Sequence, residues 1–196
     1  MNAWKQLSGV LLLGLSVIGV AKADQLDDIQ QKGVLKVAVP QDFPPFGSVG
    51  ADMQPHGYDI DMAGYLAQKL NVKLELVPVT SANRIPYLQT RKVDLVISSL
   101  GKNPEREKVI DFSTPYAPFF LGVFGAENVV VQKADELTGK TIGVTRGAVE
   151  DMELSKIVPA STTVKRFEDN NTTLSAYLSG QVDLIATVES CCYCKK

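Results

Sequence analysis

The residues with most to say about chemistry run from Ser98 to Arg106, Ser-Ser-Leu-Gly-Lys-Asn-Pro-Glu-Arg. Ser98 and Ser99 offer hydroxyls, and Leu100 and Gly101 offer backbone amides, directly after the apolar run Val93–Ile97. A guanidinium is a planar fork that matches a carboxylate, so Arg106 beside these groups describes a site for a small anion. Catalytic company is missing. His56 is the sole histidine and stands in a Pro- and Gly-containing loop with no Cys nearby, so no ligating role is expected of it. Asp59 and Asp61 could serve acid–base chemistry or a metal, but they open a helical period. Carboxylates there cap the helix and complement its dipole, and that is the reading taken.

Elements must position such a site. Val93–Ile97 has the β-branched composition of a buried parallel strand. Asn103, Pro104 and Glu105 form a helix start: cap, first position and acidic first turn. Ligands of open α/β sheets bind outside the carboxyl ends of strands, where a helix N-terminus favours negative charge. Upstream, Asp24–Lys32 predicts a polar helix closed by Gly33, Val34–Val39 a strand, Met62–Asn71 a helix, and Val72–Val79 a strand. Thr80–Arg84 opens a helix over Ile85–Arg91, and Asn83 and Arg84 either reach the cleft or cap that helix. Downstream, Asp111–Pro118 has two prolines and no period, as a crossover would. Phe119–Phe124, Thr141–Val144, Thr163–Phe167 and Val182–Thr187 read as strands, and Thr172–Ser179 as a helix. The strand–helix alternation predicts a parallel α/β architecture. The loop Thr145–Asp151 again enters a helix at a strand end, which places Arg146, Gly147, Ala148 and Val149 opposite the first anion site. Prolines stiffen the loop Pro40–Phe46 and hold Phe43 and Phe46 at the sheet's edge; loops at strand ends carry function, so Phe43 is read as facing the pocket and Phe46 as core.

The chain has 196 residues, formal charge −2 and 45% hydrophobic residues, which allows one or two domains. No basic run or aromatic–basic interleaving points to nucleic acid. Met1–Ala23 has a basic start, an apolar Leu7–Val20 and an Ala-Lys-Ala end, the pattern of a secretory signal peptide cleaved after Ala23. The apolar run is shorter than the roughly 20 residues a membrane span needs.

The motifs Ser98–Arg106 and Asp111–Tyr116 (Asp-Phe-Ser-Thr-Pro-Tyr) resemble bacterial periplasmic solute-binding proteins of polar amino-acid ABC importers. Asp42–Phe46, Gly57–Asp61, Arg84–Pro86 and Gly143–Asp151 extend the resemblance collinearly over about Gly33 to Thr187. The resemblance implies a two-lobed periplasmic-binding-protein fold (type II-like), with lobes over 24–116 and 117–187 that close by a hinge. It implies a monomeric, non-enzymatic periplasmic receptor for an amino acid or similar carboxylate, a membrane permease as partner, and no cofactor or metal. Arg106 would hold the carboxylate, helped by Ser98, Ser99 and the amides around Gly147 and Ala148, and Phe43 would stack over the ligand.

Two departures stand out. The family usually has Ser or Thr at Gly101 and often Thr near Ala148 and Val149, so those side-chain hydrogen bonds are lost. After Thr187 the sequence, residues 188–196, matches nothing in the family, which continues for several tens of residues through a return crossover. The expectation is an aberrant, shortened end, without the acidic residue that pairs with the ligand ammonium in many relatives. Cys191, Cys192 and Cys194 all lie there. Three thiols without a fourth ligand make a poor zinc site, and an odd count leaves at least one thiol unpaired within the chain. The competing readings are a dehydratase on the same fold acting on a prephenate-like acid, and an extracytoplasmic sensor domain. The dehydratase needs an acid or base in the cleft, and no His, Cys or Glu is expected there.

Overall fold

The computed structural model describes residues 24–188 apart from Phe119. The leader and the three cysteines lie outside the described residues.

The first sheet is organised on β1 (Val34–Pro40), which lies between β5 (Lys73–Val79) and β6 (Leu95–Val96), all parallel. A central parallel strand is covered on both faces, and β1 accordingly buries Leu35, Val37, Ala38 and Val39 completely. Strand alternation sorts them. Leu35, Val37 and Val39 pack with Ile29 of α1 (Gln25–Lys32) and with Ala63 and Ala67 of α2 (Tyr58–Leu70). Ala38 faces the other way, toward Val79, Val93 and the partly buried Tyr87 and Leu88 of α3 (Arg84–Gln89). Pro78 is tolerated because β5 is an edge strand. Gly33 ends α1 in the left-handed region at φ 66, as its C-cap position predicts.

The loop after β1 is more ordered than the sequence implies. Two- and three-residue strands, β2 (Asp42–Phe43), β3 (Gly47–Val49) and β4 (Pro55–His56), pair antiparallel into a small sheet.

The second sheet has the order β7 (Leu121–Phe124), β10 (Leu184–Val188), β8 (Thr141–Thr145), β9 (Thr163–Phe167). Only β7 runs antiparallel. Leu137, Ile142, Val144, Leu154, Leu184 and Ala186 form its core, with Leu154 supplied by α4 (Val149–Ile157). Helix α5 (Asn170–Leu178) packs on the same sheet. The chain between the sheets, 111–118, has no regular structure, as its prolines predict. Each sheet with its helices is one lobe of an α/β fold.

Several expectations shift, among them the start of α2 at Tyr58 instead of Met62. The strand expected over Val93–Ile97 pairs only at Leu95 and Val96. The last strand runs through Val188, which pairs with Leu121 and is buried, instead of ending at Thr187. The helix expected from Asn103 is one 3-10 turn, Arg106–Lys108. Asn103 does act as its cap, accepting the Arg106 amide at 2.8 Å, but the proline-containing, aperiodic run beyond it gives a longer helix no apolar face to bury.

Candidate functional site

Three sequence motifs meet on one buried carboxylate. Asp59, in the first turn of α2, is fully buried and accepts the Ser99 amide at 2.7 Å and the Tyr116 hydroxyl at 2.9 Å. Tyr58 stacks on Tyr116 and donates its hydroxyl to the Tyr116 carbonyl at 3.1 Å. Asp59 is therefore more than a helix-start charge: it ties α2 and residue 116 to the strand end that carries the serines. Burial pushes its carboxyl above the usual range, against the hydrogen bonds from Tyr116 and Ser99. Ser99 sits at φ 42, a region costly for a residue with a Cβ, and the Asp59 bond helps hold it there.

That turn presents carbonyls to Arg84, which is 5% exposed. Its guanidinium donates to the carbonyl oxygens of Ser81 (3.0 Å), Ser98 (2.8 Å), Ser99 (3.3 Å) and Gly147 (3.2 Å). Arg106, 4% exposed, donates to the carbonyls of Gly101 at 2.6 Å and Gly147 at 2.9 Å. Two guanidinium groups from the first lobe thus share one carbonyl from the second. Gly147 makes this possible with φ +76 and a close approach to Ala82, whose Cα would lie 2.8 Å from an added Cβ. Burial, then the charge of Arg106, draws the Arg84 guanidinium down to about 10, so it stays charged at neutral pH. Burial also lowers Arg106.

A cavity of about 20 Å3 lies between the lobes, with Phe43, Arg84, Ser99, Glu150, Asn170 and Val188 in its wall, and Ala148 and Val149 beside them. The Phe43 ring stacks on Phe46 with centroids 5.7 Å apart, and both pack with Val188. Phe43 lines the cavity, and Phe46 belongs to that apolar seam. Leu100, Arg106 and Gly147 line a neighbouring groove with Ile85 and Met152. Asn83 is exposed and donates back to Thr80 Oγ1 at 3.0 Å, so it does not reach the cavity; Arg84, left open by the sequence, does. Arg146 turns outward to Glu168 at 3.0 Å. Ser98 and Gly101 contribute through carbonyls, and neither side-chain hydroxyl nor amide is their observed contact.

The start of α4 differs from the anion clamp expected there. Glu150 places a carboxylate in the cavity wall. It is 7% exposed, and burial raises its pKa against the pull of its own backbone amide and of Arg84 and Arg106. A glutamate in the cleft corrects the expectation of none; an acidic first-turn residue reads locally as a dipole partner, which is why the sequence conceals it.

A lobe-to-lobe contact flanks the cavity. Asp42 accepts the amides of Asn170 (2.7 Å) and Asn171 (3.2 Å) and the Asn170 side chain (3.2 Å). Asp169 caps the next amide, Thr172, at 2.7 Å. The first turn of α5 is thus completed by one carboxylate from each lobe. Among the described residues no cluster of His, Cys, Asp or Glu is arranged to hold a metal.

Residues 35–160 match the bacterial extracellular solute-binding proteins, family 3. The chain is similar to the L-cystine-binding protein TcyJ of Escherichia coli K12, 29% identical over 89% of this chain and 66% of that protein. It is also similar to the glutamine-binding protein of Geobacillus stearothermophilus, 30% identical over 85% of this chain and 65% of that one. A cyclohexadienyl dehydratase of Pseudomonas aeruginosa is 29% identical over 85% of this chain and 63% of its own length. The chain spans about two thirds of the length of these curated relatives. Among solved structures, the arginine-bound form of truncated ArgBP from T. maritima superposes with TM-score 0.79 and 31% identity, over 84% of this chain and 78% of that one.

Proposed function

We infer, for a chain that belongs to the bacterial extracellular solute-binding proteins, family 3, that it captures an amino acid or related small carboxylate. In this reading the lobes, divided near residue 116, close over the ligand, and the monomeric protein delivers it to an ABC-transporter membrane permease. The leader is cleaved after Ala23 and the mature protein works in the periplasm, without cofactor. The observation that carries the reading is the pair of buried guanidiniums. Arg84 and Arg106 spend their donors on carbonyl oxygens, and neither forms an ion pair among the described residues. Buried cations without a carboxylate partner are costly, and a ligand carboxylate entering beside them would gain a fork-shaped, charge-assisted bond. Relatives named for cystine, glutamine and arginine support the ligand class.

Calorimetric titration of the full chain with the twenty L-amino acids tests this. Saturable binding of one chemical class is expected, weakened strongly in Arg84→Lys, because an ammonium cannot reproduce the fork. A well-folded protein that binds none of them would remove the amino-acid assignment.

Glu150 keeps a second reading open. A buried carboxyl with a raised pKa is suited to donate a proton, as dehydration of a prephenate-like acid requires. Release of water and carbon dioxide from prephenate by the full chain, lost in Glu150→Gln, would favour the enzyme over the receptor.

A further inference from the structure

We propose that Asp59 is a positioning residue: through the Ser98–Ser99 peptide it holds the Arg84 guanidinium in the cavity wall, by its charge as well as by its shape. The inference rests on the receptor reading above for what Arg84 does, and adds what keeps Arg84 in place.

One peptide group is gripped at both ends. The Ser99 amide donates to Asp59 Oδ2 at 2.7 Å, and the Ser98 carbonyl of the same peptide accepts from Arg84 Nη1 at 2.8 Å. The N–H and C=O of a trans peptide point to opposite sides, so carboxylate and guanidinium are fixed on either side of it. A charged acceptor on the N–H polarises the group and strengthens its carbonyl as an acceptor in turn. Asp59 and Arg84 each feel the other's charge without touching.

The remaining bonds of Arg84 fit the same role. The Ser99 carbonyl also accepts from Nη1, at 3.3 Å, and the Ser81 carbonyl accepts from Nε at 3.0 Å. These three acceptors belong to the first lobe, and only the Nη2 bond to Gly147 crosses to the second. Parting of the lobes therefore removes one bond from Arg84 and leaves the three that orient it. Asp59 is anchored as well: it is fully buried, and Oδ1 accepts the Tyr116 hydroxyl at 2.9 Å. Ser99 stands at φ 42, where a residue with a Cβ is strained. A merely structural Asp59 would do no more than hold that strain.

The test separates the two roles. Full-chain wild type, Asp59→Asn, Tyr116→Phe and the double variant Asp59→Asn with Ser99→Gly are compared by thermal melts, by 15N-edited NMR of the Arg84 side chain, and by calorimetric titration with the twenty L-amino acids. Asparagine keeps the shape of aspartate without its charge, and glycine accepts φ 42 without strain. In Asp59→Asn, hydrogen exchange at Arg84 Nη1 is expected to accelerate about tenfold, and amino-acid affinity to fall by a similar factor. Exchange at Nε, held by Ser81, should change least. Adding Ser99→Gly is expected to restore the melt and leave both losses in place. Tyr116→Phe, which keeps the carboxylate, should leave Nη1 at the wild-type rate. Recovery of Nη1 protection in the double variant, unaltered Nη1 exchange in a folded Asp59→Asn, or equal acceleration in Tyr116→Phe each overturns the proposal. A wild type that binds no L-amino acid removes the receptor reading, and the Arg84 exchange rates then decide the role of Asp59 alone.

Discussion

Arg106 and Gly147 meet at 2.9 Å, a guanidinium of the first lobe on a carbonyl of the second, and Arg84 reaches the same oxygen at 3.2 Å. The contact needs a residue without a Cβ at 147, so Gly147→Ala tests it. The left-handed φ costs a non-glycine residue about 1–2 kcal/mol, and the new methyl would meet the Ala82 backbone. A melting temperature lower by about 5 °C is expected, with a larger radius of gyration in small-angle scattering as the lobes are pushed apart. An unchanged melt and radius would show that the contact does not hold the lobes.

Asp59 should matter more than any other side chain for the serine turn. Asp59→Ala leaves the Ser99 amide and the Tyr116 hydroxyl without their buried acceptor and is expected to cost about 2–4 kcal/mol in denaturant unfolding. Tyr116→Phe removes one of the two bonds and should cost about 1 kcal/mol. The double variant should fall short of the sum, because the residues form one network.

Glu150 predicts a pH signature in the unliganded protein. Its folded pKa is raised above an unfolded value of about 4.3, so the folded state holds the proton more tightly. Its contribution to stability is then full below the unfolded pKa and is lost as pH rises through the folded pKa. Glu150→Gln abolishes that loss. The variant should melt above wild type at neutral pH, and the gap should close as the pH falls toward 4. Parallel pH profiles would show that Glu150 carries no such penalty.

Asp42→Ala removes the foreign half of the α5 cap. A lost cap costs about 1 kcal/mol, so hydrogen exchange at Asn170 and Asn171 should accelerate about fivefold. Thr172, capped by Asp169, is the internal control and should change least.

Much of this was legible before the structure. Helix α1 with its Gly33 stop and strand β1 carry periods and punctuation that only one local structure satisfies. Arg106 and Phe43 stand out in the sequence by their place after a strand end, and the structure puts Phe43 in the cavity wall and Arg106 in the neighbouring groove. Arg84 was not resolved, because an arginine at a helix start looks the same whether it turns inward or outward; the carbonyls that hold it come from residues 98, 99 and 147. Asp59 and Glu150 were concealed for the same reason, since first-turn carboxylates satisfy a local rule and their burial is decided by distant partners. The sheet of β2, β3 and β4 left no trace because strands of two or three residues have no period to detect.

The cavity between the lobes measures about 20 Å3, scarcely more than one water molecule needs. In the receptor reading, a ligand as large as an amino acid needs the lobes to stand further apart than they do here. The Gly147 carbonyl also becomes a competitor: it occupies the same guanidinium donors that a carboxylate would claim. In the receptor reading, any change that strengthens the Gly147 contact lowers apparent affinity in proportion to the binding-competent population it removes, even if it never touches the ligand.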